Sequence, residues 1–244
     1  MDLISNLVLM GLIFGAAVLY SAVGHAGASG YLAAMALVGV SPLVMKPSAL
    51  VLNILVATVA ATKFHRAGCF SWRLFWPFAA ASVPLAFVGG IITIPGHAYK
   101  VLVGMMLLFA AHRLWFGAAA AAEGRPLPVP LALILGGGIG LLSGLTGVGG
   151  GIFLSPLMML LGWGDYRQIS GVSATFILVN SVAALLGYVA SLSALPPEVG
   201  PWAVAAIAGG WIGAEYGSRR LTGGTIRRLL AVVLAVAGVK MMLV

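Results

Sequence analysis

The chain has 244 residues, enough for one large soluble domain or two small ones, but its composition excludes both. Apolar residues make up 61% of the chain, charged residues 7%, and the mean hydropathy is +1.12. A soluble protein could not cover its surface with so few charges, since globular chains carry roughly a quarter charged residues. The single cysteine, Cys69, excludes a disulfide scaffold. A net charge of +8 on such a chain is typical of basic loops that meet membrane lipids, and we expect no nucleic-acid partner.

Apolar stretches follow one another almost without a pause, and none alternates apolar and polar residues as a barrel strand would. Because only helices and closed barrels satisfy backbone groups in lipid, each stretch predicts a helical segment. A cytoplasmic linker predicted at 117–128 divides a first membrane repeat, 1–116, from a second, 129–244, with five segments in each. The ten predicted segments are 3–23, 28–45, 47–62, 72–94, 98–116, 129–143, 149–163, 168–190, 199–217 and 225–243.

The two halves resemble each other in the placement of their small residues. SAVGHAGASGYL at 21–32 aligns with SGLTGVGGGIFL at 143–154, and Asn53 aligns with Asn180. Short, glycine-interrupted segments at matching positions of two halves are typical of transporters whose site lies near the bilayer centre. We therefore predict an all-α integral membrane protein of two inverted-topology repeats, with broken or short helices at matching positions.

The basic residues are divided unequally between the predicted loops. If every stretch crosses the membrane, ten lie on one side and three on the other, so the first side is predicted to be cytoplasmic. Both termini then lie outside the cytoplasm, and the halves are inserted in opposite directions. The sides stay the same if the first two stretches of each half form a re-entrant hairpin, so both alternatives stay open. The two sets are Lys63, Arg66, Arg73, Arg113, Arg125, Arg167, Arg219, Arg220, Arg227 and Arg228 against Lys46, Lys100 and Lys240.

The glycine-rich breaks are the strongest candidates for a binding site. Glycine lets the backbone leave helical geometry and approach a ligand closely. Free amides at a helix start, together with the positive end of the helix dipole, favour an anion. Small residues also serve helix packing, but two related breaks that both carry hydroxyls favour binding. The candidates are Ser21, Gly24, His25, Ser29 and Gly30 in the first break, and Ser143, Thr146, Gly147, Gly149, Gly150 and Gly151 in the second.

Further polar residues lie inside the predicted segments. Asn53 and Asn180, with Ser173 and Thr175, are candidates to line a cavity, although buried amides also join neighbouring helices. His25 is the ionisable residue closest to a break, and its ordinary pKa of about 6.5 would allow a proton-linked step. The alternative for His25 is a neutral side chain hydrogen-bonded between helices.

The sequence contains few acidic residues. Glu215 and Arg219 are four residues apart, which predicts an ion pair on one face of a helix, with a coupling-ion site as the alternative. The sequence holds no cluster of buried acids, so we expect no metal and no cofactor.

The stretches at 143–162 and 171–188, together with the break at 21–32, resemble the TauE/SafE sulfite exporter family. The resemblance covers essentially the whole chain. It implies a permease in the cell membrane that exports sulfite, an organosulfonate such as sulfoacetate, or another small sulfur-containing anion. His25 stands where the second half has Gly147, so the two breaks are not equivalent in chemistry.

Two other functions remain as alternatives to a permease. Ser143 lies in a glycine-rich turn, as the nucleophile of a membrane-embedded hydrolase would. However, GLLSG is not GxSxG, and no histidine follows His112. An anion channel would differ from a permease only in kinetics. We expect a permease and not an enzyme, and leave open the anion, the direction of flux, the coupling ion and the oligomeric state.

Overall fold

The computed structural model of the chain describes residues 3–116, 125–191, 199–219 and 224–243. Within these ranges every regular element is an α-helix, which confirms the all-α prediction. The predicted linker is described only from residue 125 onward, so the division at 117–128 stays a prediction. The helices are α1 (Leu3–Ser21), α2 (Ala28–Val38), α3 (Pro42–Arg66), α4 (Trp72–Ile91), α5 (Gly96–Phe116), α6 (Val129–Thr146), α7 (Gly151–Leu160), α8 (Tyr166–Ser191), α9 (Val199–Arg219) and α10 (Gly224–Leu243).

Five of the described helices, α1, α3, α4, α6 and α8, are long and apolar enough to cross a membrane. In contrast, α2 and α7 have 11 and 10 residues, fewer than the roughly 20 that a crossing needs. Large apolar side chains remain exposed on the outside of the helices, such as Ile134 (73%) and Leu186 (59%). Lipid would cover such side chains, and the chain is therefore a multi-pass membrane protein.

The first two helices of each half form a hairpin. In the first half α2 returns along α1, with Gly30 packed against Ala16 and Tyr20. In the second half, Arg125 before α6 donates its backbone N–H to the carbonyl of Gly162 after α7, at 2.8 Å. In both halves the first helix of the pair is long enough to cross a membrane, whereas the helix that returns is not.

The third helices of the two halves, α3 and α8, run antiparallel. The Lys46 ammonium near the start of α3 lies 5.9 Å from the ring centroid of Tyr188 near the end of α8. At the other end, Gly171 near the start of α8 packs against the backbone of Cys69, which follows α3. Antiparallel counterpart helices are what two oppositely inserted halves require, so this pair supports the proposed inverted repeat.

The other helix contacts show the same relation between the halves, because counterpart helices make corresponding contacts. α4 packs against α6 and α8, as α9 packs against α1 and α3, while α5 packs against its counterpart α10. We call the end of the bundle that carries Lys46, Lys100 and Lys240 the lysine face. The opposite end, where α3 ends and α4 and α6 begin, is the arginine face.

The predicted boundary between α2 and α3 is wrong. The sequence analysis placed it at Lys46, between the predicted segments 28–45 and 47–62. Instead Gly39, with φ of 82°, ends α2 in the left-handed conformation. Pro42 then begins α3, where its missing N–H is not needed. Lys46 is consequently a buried residue inside a helix.

Glycines spaced four residues apart let α6 approach α4 closely. Backbone atoms of α4 would collide with a Cβ atom on Gly136, Gly140 or Gly144. For Gly140, the colliding atoms belong to Ser82. Gly138, on the same helix, faces open space.

We expect Gly140→Leu to lower the midpoint of thermal unfolding in detergent, because overpacking a helix contact costs about 1–3 kcal/mol. Gly138→Leu is the matched control, and its midpoint should equal that of the unmodified protein. Equal midpoints for the two variants would contradict the close contact of α4 and α6.

Candidate functional site

The turns of both hairpins depend on glycines in the left-handed conformation. Gly24 and Gly27 have φ of 76° and 102°, and Gly147, Gly149 and Gly150 have φ of 83°, 82° and 82°. Other residues rarely adopt such angles, so glycine is required in both turns. The residues that precede α2 and α7, at positions 27 and 150, supply no side-chain cap to the first-turn amides. Both helix starts therefore present backbone N–H groups at a turn.

The two breaks meet through His25. Its Nε2 atom lies 3.1 Å from the carbonyl oxygen of Gly151, across 126 residues of sequence. Its Nδ1 atom lies 3.1 Å from the carbonyl oxygen of Val23, and Nε2 is also 3.2 Å from Ser155 Oγ. Ser155 Oγ is in turn 2.6 Å from Ser173 Oγ on α8. The predicted residues His25, Gly151 and Ser173 thus share one hydrogen-bonded group, which also contains Ser155, a residue that the sequence analysis missed.

The geometry around His25 suits two protonation states. Both ring nitrogens face carbonyl oxygens, and only an imidazolium has the two N–H groups needed to donate to both. A neutral ring that keeps its Nδ1 proton can instead accept at Nε2 from the Ser155 hydroxyl, which is within reach.

A second polar group lies against the second break. Asn53 Nδ2 donates to the Gly147 carbonyl at 3.4 Å. A Cβ atom on Gly149 would come within 2.8 Å of Asn53 Nδ2 and 3.2 Å of Ser181 Oγ, so both side chains border the glycine turn. Ser143 also borders the turn, since its Cβ would lie 3.6 Å from one built on Gly150. Ser181 was not among the predicted residues, although it directly follows Asn180.

Several polar atoms of this group have no hydrogen-bond partner within the described residues. They are Asn53 Oδ1, Ser143 Oγ and Ser181 Oγ, and a further unpaired atom, Asn180 Nδ2, belongs to the residue that precedes Ser181; all four residues are fully buried. Asn180 uses only its oxygen, which accepts from Ser82 Oγ at 2.6 Å. Buried polar atoms are nearly always paired, so an unpaired set beside a glycine turn is suited to a polar ligand.

The remaining predicted residues do not belong to either of these two polar groups. Thr146 and Thr175 donate to carbonyls one turn earlier in their own helices, at 2.7 Å and 3.0 Å. Such bonds are ordinary for hydroxyls in helices. The other first-half candidates are buried at the turn of the first hairpin or beside it: Ser21, Gly24, Ser29 and Gly30.

A cavity of about 350 Å³ lies at the lysine face, next to the second break. Its lining includes Lys46, Tyr99 and Leu145, and the Tyr99 hydroxyl donates to the Thr146 carbonyl at 3.0 Å. None of the predicted binding residues lines this cavity. The turn itself is covered by apolar side chains, since Ile177 packs against both Gly149 and Gly151.

The acidic residue Glu215 pairs with a different helix from the one predicted. Its carboxylate forms an ion pair with Lys63 on α3, and the Lys63 ammonium lies 4.1 Å from the ring centroid of Trp211. The predicted partner, Arg219, has a side chain outside the described part of the chain. An ion pair fits the position of Glu215 near the arginine face.

Comparison with known proteins agrees with this architecture. The family model for the sulfite exporter TauE/SafE matches residues 8–241. A protein of Sinorhizobium fredii (strain NBRC 101917 / NGR234), described as the probable membrane transporter protein y4hK, is 43% identical over 234 residues. That alignment covers 94% of this chain and 95% of the relative. No solved structure matches the chain. The chain belongs to the sulfite exporter TauE/SafE family and is a membrane transporter rather than an enzyme.

Proposed function

We propose that this transporter moves a small sulfur-containing anion, sulfite or an organosulfonate such as sulfoacetate, through a site where the two breaks meet. The contact between His25 and Gly151 carries the proposal, because it brings the first hairpin turn to the start of α7. A helix start offers roughly half a positive charge, and two of them suit a small oxyanion. The family to which the chain belongs supports the class of substrate.

The proposed site binds the anion with donors from both halves. Backbone amides at 28–30 and 149–151 point to the oxygens of the anion, and the amide nitrogen of Asn180 adds a buried donor. The hydroxyls of Ser143 and Ser181 complete the set. An imidazolium at His25 would add a full positive charge, which links binding of the anion to binding of a proton.

Access to this site requires a movement of the hairpins. Ile177 covers the second turn in this conformation, while the cavity at the lysine face stops beside Lys46 and Leu145. Displacement of the hairpin turns relative to α3 and α8 would open the site to one face at a time, as inverted-repeat transporters do. With the arginine face in the cytoplasm, export ends at the lysine face.

Flux measurements in liposomes test this function. Purified protein should give saturable flux of labelled sulfite or sulfoacetate, whereas an anion channel would give flux that rises without saturation. A pH gradient should change the rate if a proton accompanies the anion. Absence of saturable flux of both anions would refute the proposal.

His25→Gln should remove the dependence of flux on the pH gradient, because glutamine keeps hydrogen-bonding groups but does not titrate near neutral pH. Flux itself should remain saturable, at a lower rate. His97→Gln is the control, since His97 is exposed at the start of α5. A His25→Gln protein with an unchanged response to pH would exclude a proton-coupling role for this residue.

A further inference from the structure

We infer that the cavity at the lysine face is a second anion site, a vestibule in which Lys46 attracts the transported anion beside the second break. The inference rests on the proposed function and extends it to residues that the proposed central site does not use. We call the cavity the Lys46 vestibule, and its lining includes Ser41, Lys46, Thr93, Tyr99, Leu145 and Tyr188.

Lys46 is a buried cation held in a defined position. It is 7% exposed, and its ammonium donates to the carbonyls of Gly89, Gly90 and Ile92 at 3.1, 3.2 and 3.2 Å. These carbonyls end α4, where the helix dipole supplies about half a negative charge. A unit positive charge is therefore only partly compensated.

No carboxylate in the described ranges compensates the rest of this charge. The acidic side chains that these ranges contain are Asp165, just before α8, and Glu215, which pairs with Lys63. Both belong to the arginine face, at the opposite end of the bundle from Lys46. A buried charge without a counter-ion is costly, and an anion in the adjoining cavity would supply the missing charge.

The size and lining of the vestibule suit an organosulfonate. Its volume of about 350 Å³ lies within the usual range for small-molecule sites. The ring of Tyr188 and the side chain of Ile92 can contact carbon atoms, while Lys46 and Ser41 can contact sulfonate oxygens. The three bonds of the ammonium are at the long end of the normal range, so an anion oxygen can replace one of the carbonyls.

The vestibule borders the second break. A Cβ atom on Gly147 would lie 3.0 Å from the Lys46 carbonyl oxygen, and Tyr99 bonds to the carbonyl of Thr146. Lys46 in α3 is the counterpart of Ser173 in α8. The two residues are as far apart in the sequence as Asn53 and Asn180 are. An anion that leaves the break towards the lysine face therefore meets Lys46 next.

A charge placed on the wall of the vestibule tests the inference without replacing Lys46 itself. Thr93 is exposed on that wall, and Thr93→Glu and Thr93→Gln differ only in charge. We expect Thr93→Glu to raise the KM for sulfoacetate about fivefold at low salt, with a smaller effect at high ionic strength. Thr93→Gln should keep the unmodified KM. Lys46→Met should raise KM as well, and Lys46→Arg should restore it.

The outcomes separate the vestibule from the central site. Equal KM values for Thr93→Glu and Thr93→Gln, or an unmodified KM in a folded Lys46→Met protein, would overturn the vestibule and leave the proposed function standing. If the unmodified protein transports neither sulfite nor sulfoacetate, the proposed function and the vestibule fail together. Thermal unfolding of each variant shows whether it is folded. If Lys46→Met is not folded, the KM values of Thr93→Glu and Thr93→Gln alone test the vestibule.

Discussion

Gly149→Leu is expected to abolish anion transport in a protein that still inserts into the membrane. A side chain at φ of 82° costs about 1–2 kcal/mol in backbone strain alone. Its Cβ would also lie 2.8 Å from both Asn53 Nδ2 and Ile177 Cγ2, so the turn must shift. Displacement of binding groups by about 1 Å can lower a rate about a hundredfold, and we expect at least that loss of flux. Labelled sulfite flux into liposomes measures it.

The control for this variant is Gly138→Leu, which adds the same side chain to a glycine that faces open space on α6. Its flux should stay close to that of the unmodified protein. The amount of each protein in the membrane is measured in parallel. Normal flux by a correctly inserted Gly149→Leu protein would show that the second glycine turn is not part of the transport site.

Asn53→Asp is expected to have the second large effect. The substitution keeps the shape of a fully buried side chain whose nitrogen donates to Gly147, but it places a negative charge at the second break. Two like charges about 4 Å apart repel by about 4 kcal/mol at an effective dielectric constant of 20. Sulfite flux should therefore fall at least about a hundredfold. Asn53→Ala, which adds no charge, should retain more flux.

Asn6→Asp makes the same chemical change far from the break. Asn6 lies near the start of α1, where its Oδ1 accepts from the Trp202 indole at 2.8 Å, and an aspartate can still accept there. Flux in Asn6→Asp should remain near normal. If Asn53→Asp transports sulfite as well as Asn6→Asp does, Asn53 does not face the anion.

The number and order of the helices could be predicted because lipid restricts the choice of structure. Long apolar stretches must be helical there, and the interruptions between them mark the ends. The hairpins could not be distinguished from two crossings, since both leave every basic loop on the same side. What the structure adds is the length of the returning helices, since α2 and α7 have only 11 and 10 residues.

The candidate site could be predicted in part, from residues whose chemistry is unusual in an apolar chain. The glycine turns, His25 and Asn53 stand out by composition, and the structure places His25 and Asn53 beside the second break. Ser155 could not be found in this way, because a serine in an apolar helix has no signal until its neighbours are known. It meets His25 across 130 residues of sequence.

Lys46 is the residue for which a signal was present but was misinterpreted. A lysine inside a continuous apolar stretch points to function, because a charge in lipid is costly. The sequence analysis instead placed Lys46 between two predicted segments, and it missed the end of α2 at Gly39. Burial of Lys46 among carbonyls, which only the structure provides, identifies it as a cation beside a cavity.

The most direct test of the central claim is to locate a bound anion. Selenite has the shape and charge of sulfite, and its selenium atom gives an anomalous signal in a crystal of the protein. The signal is expected within hydrogen-bond distance of the backbone amides at 149–151 or 28–30, close to His25. A peak found elsewhere, with none at the two glycine turns under conditions that saturate flux, would contradict the proposal that these turns bind the anion.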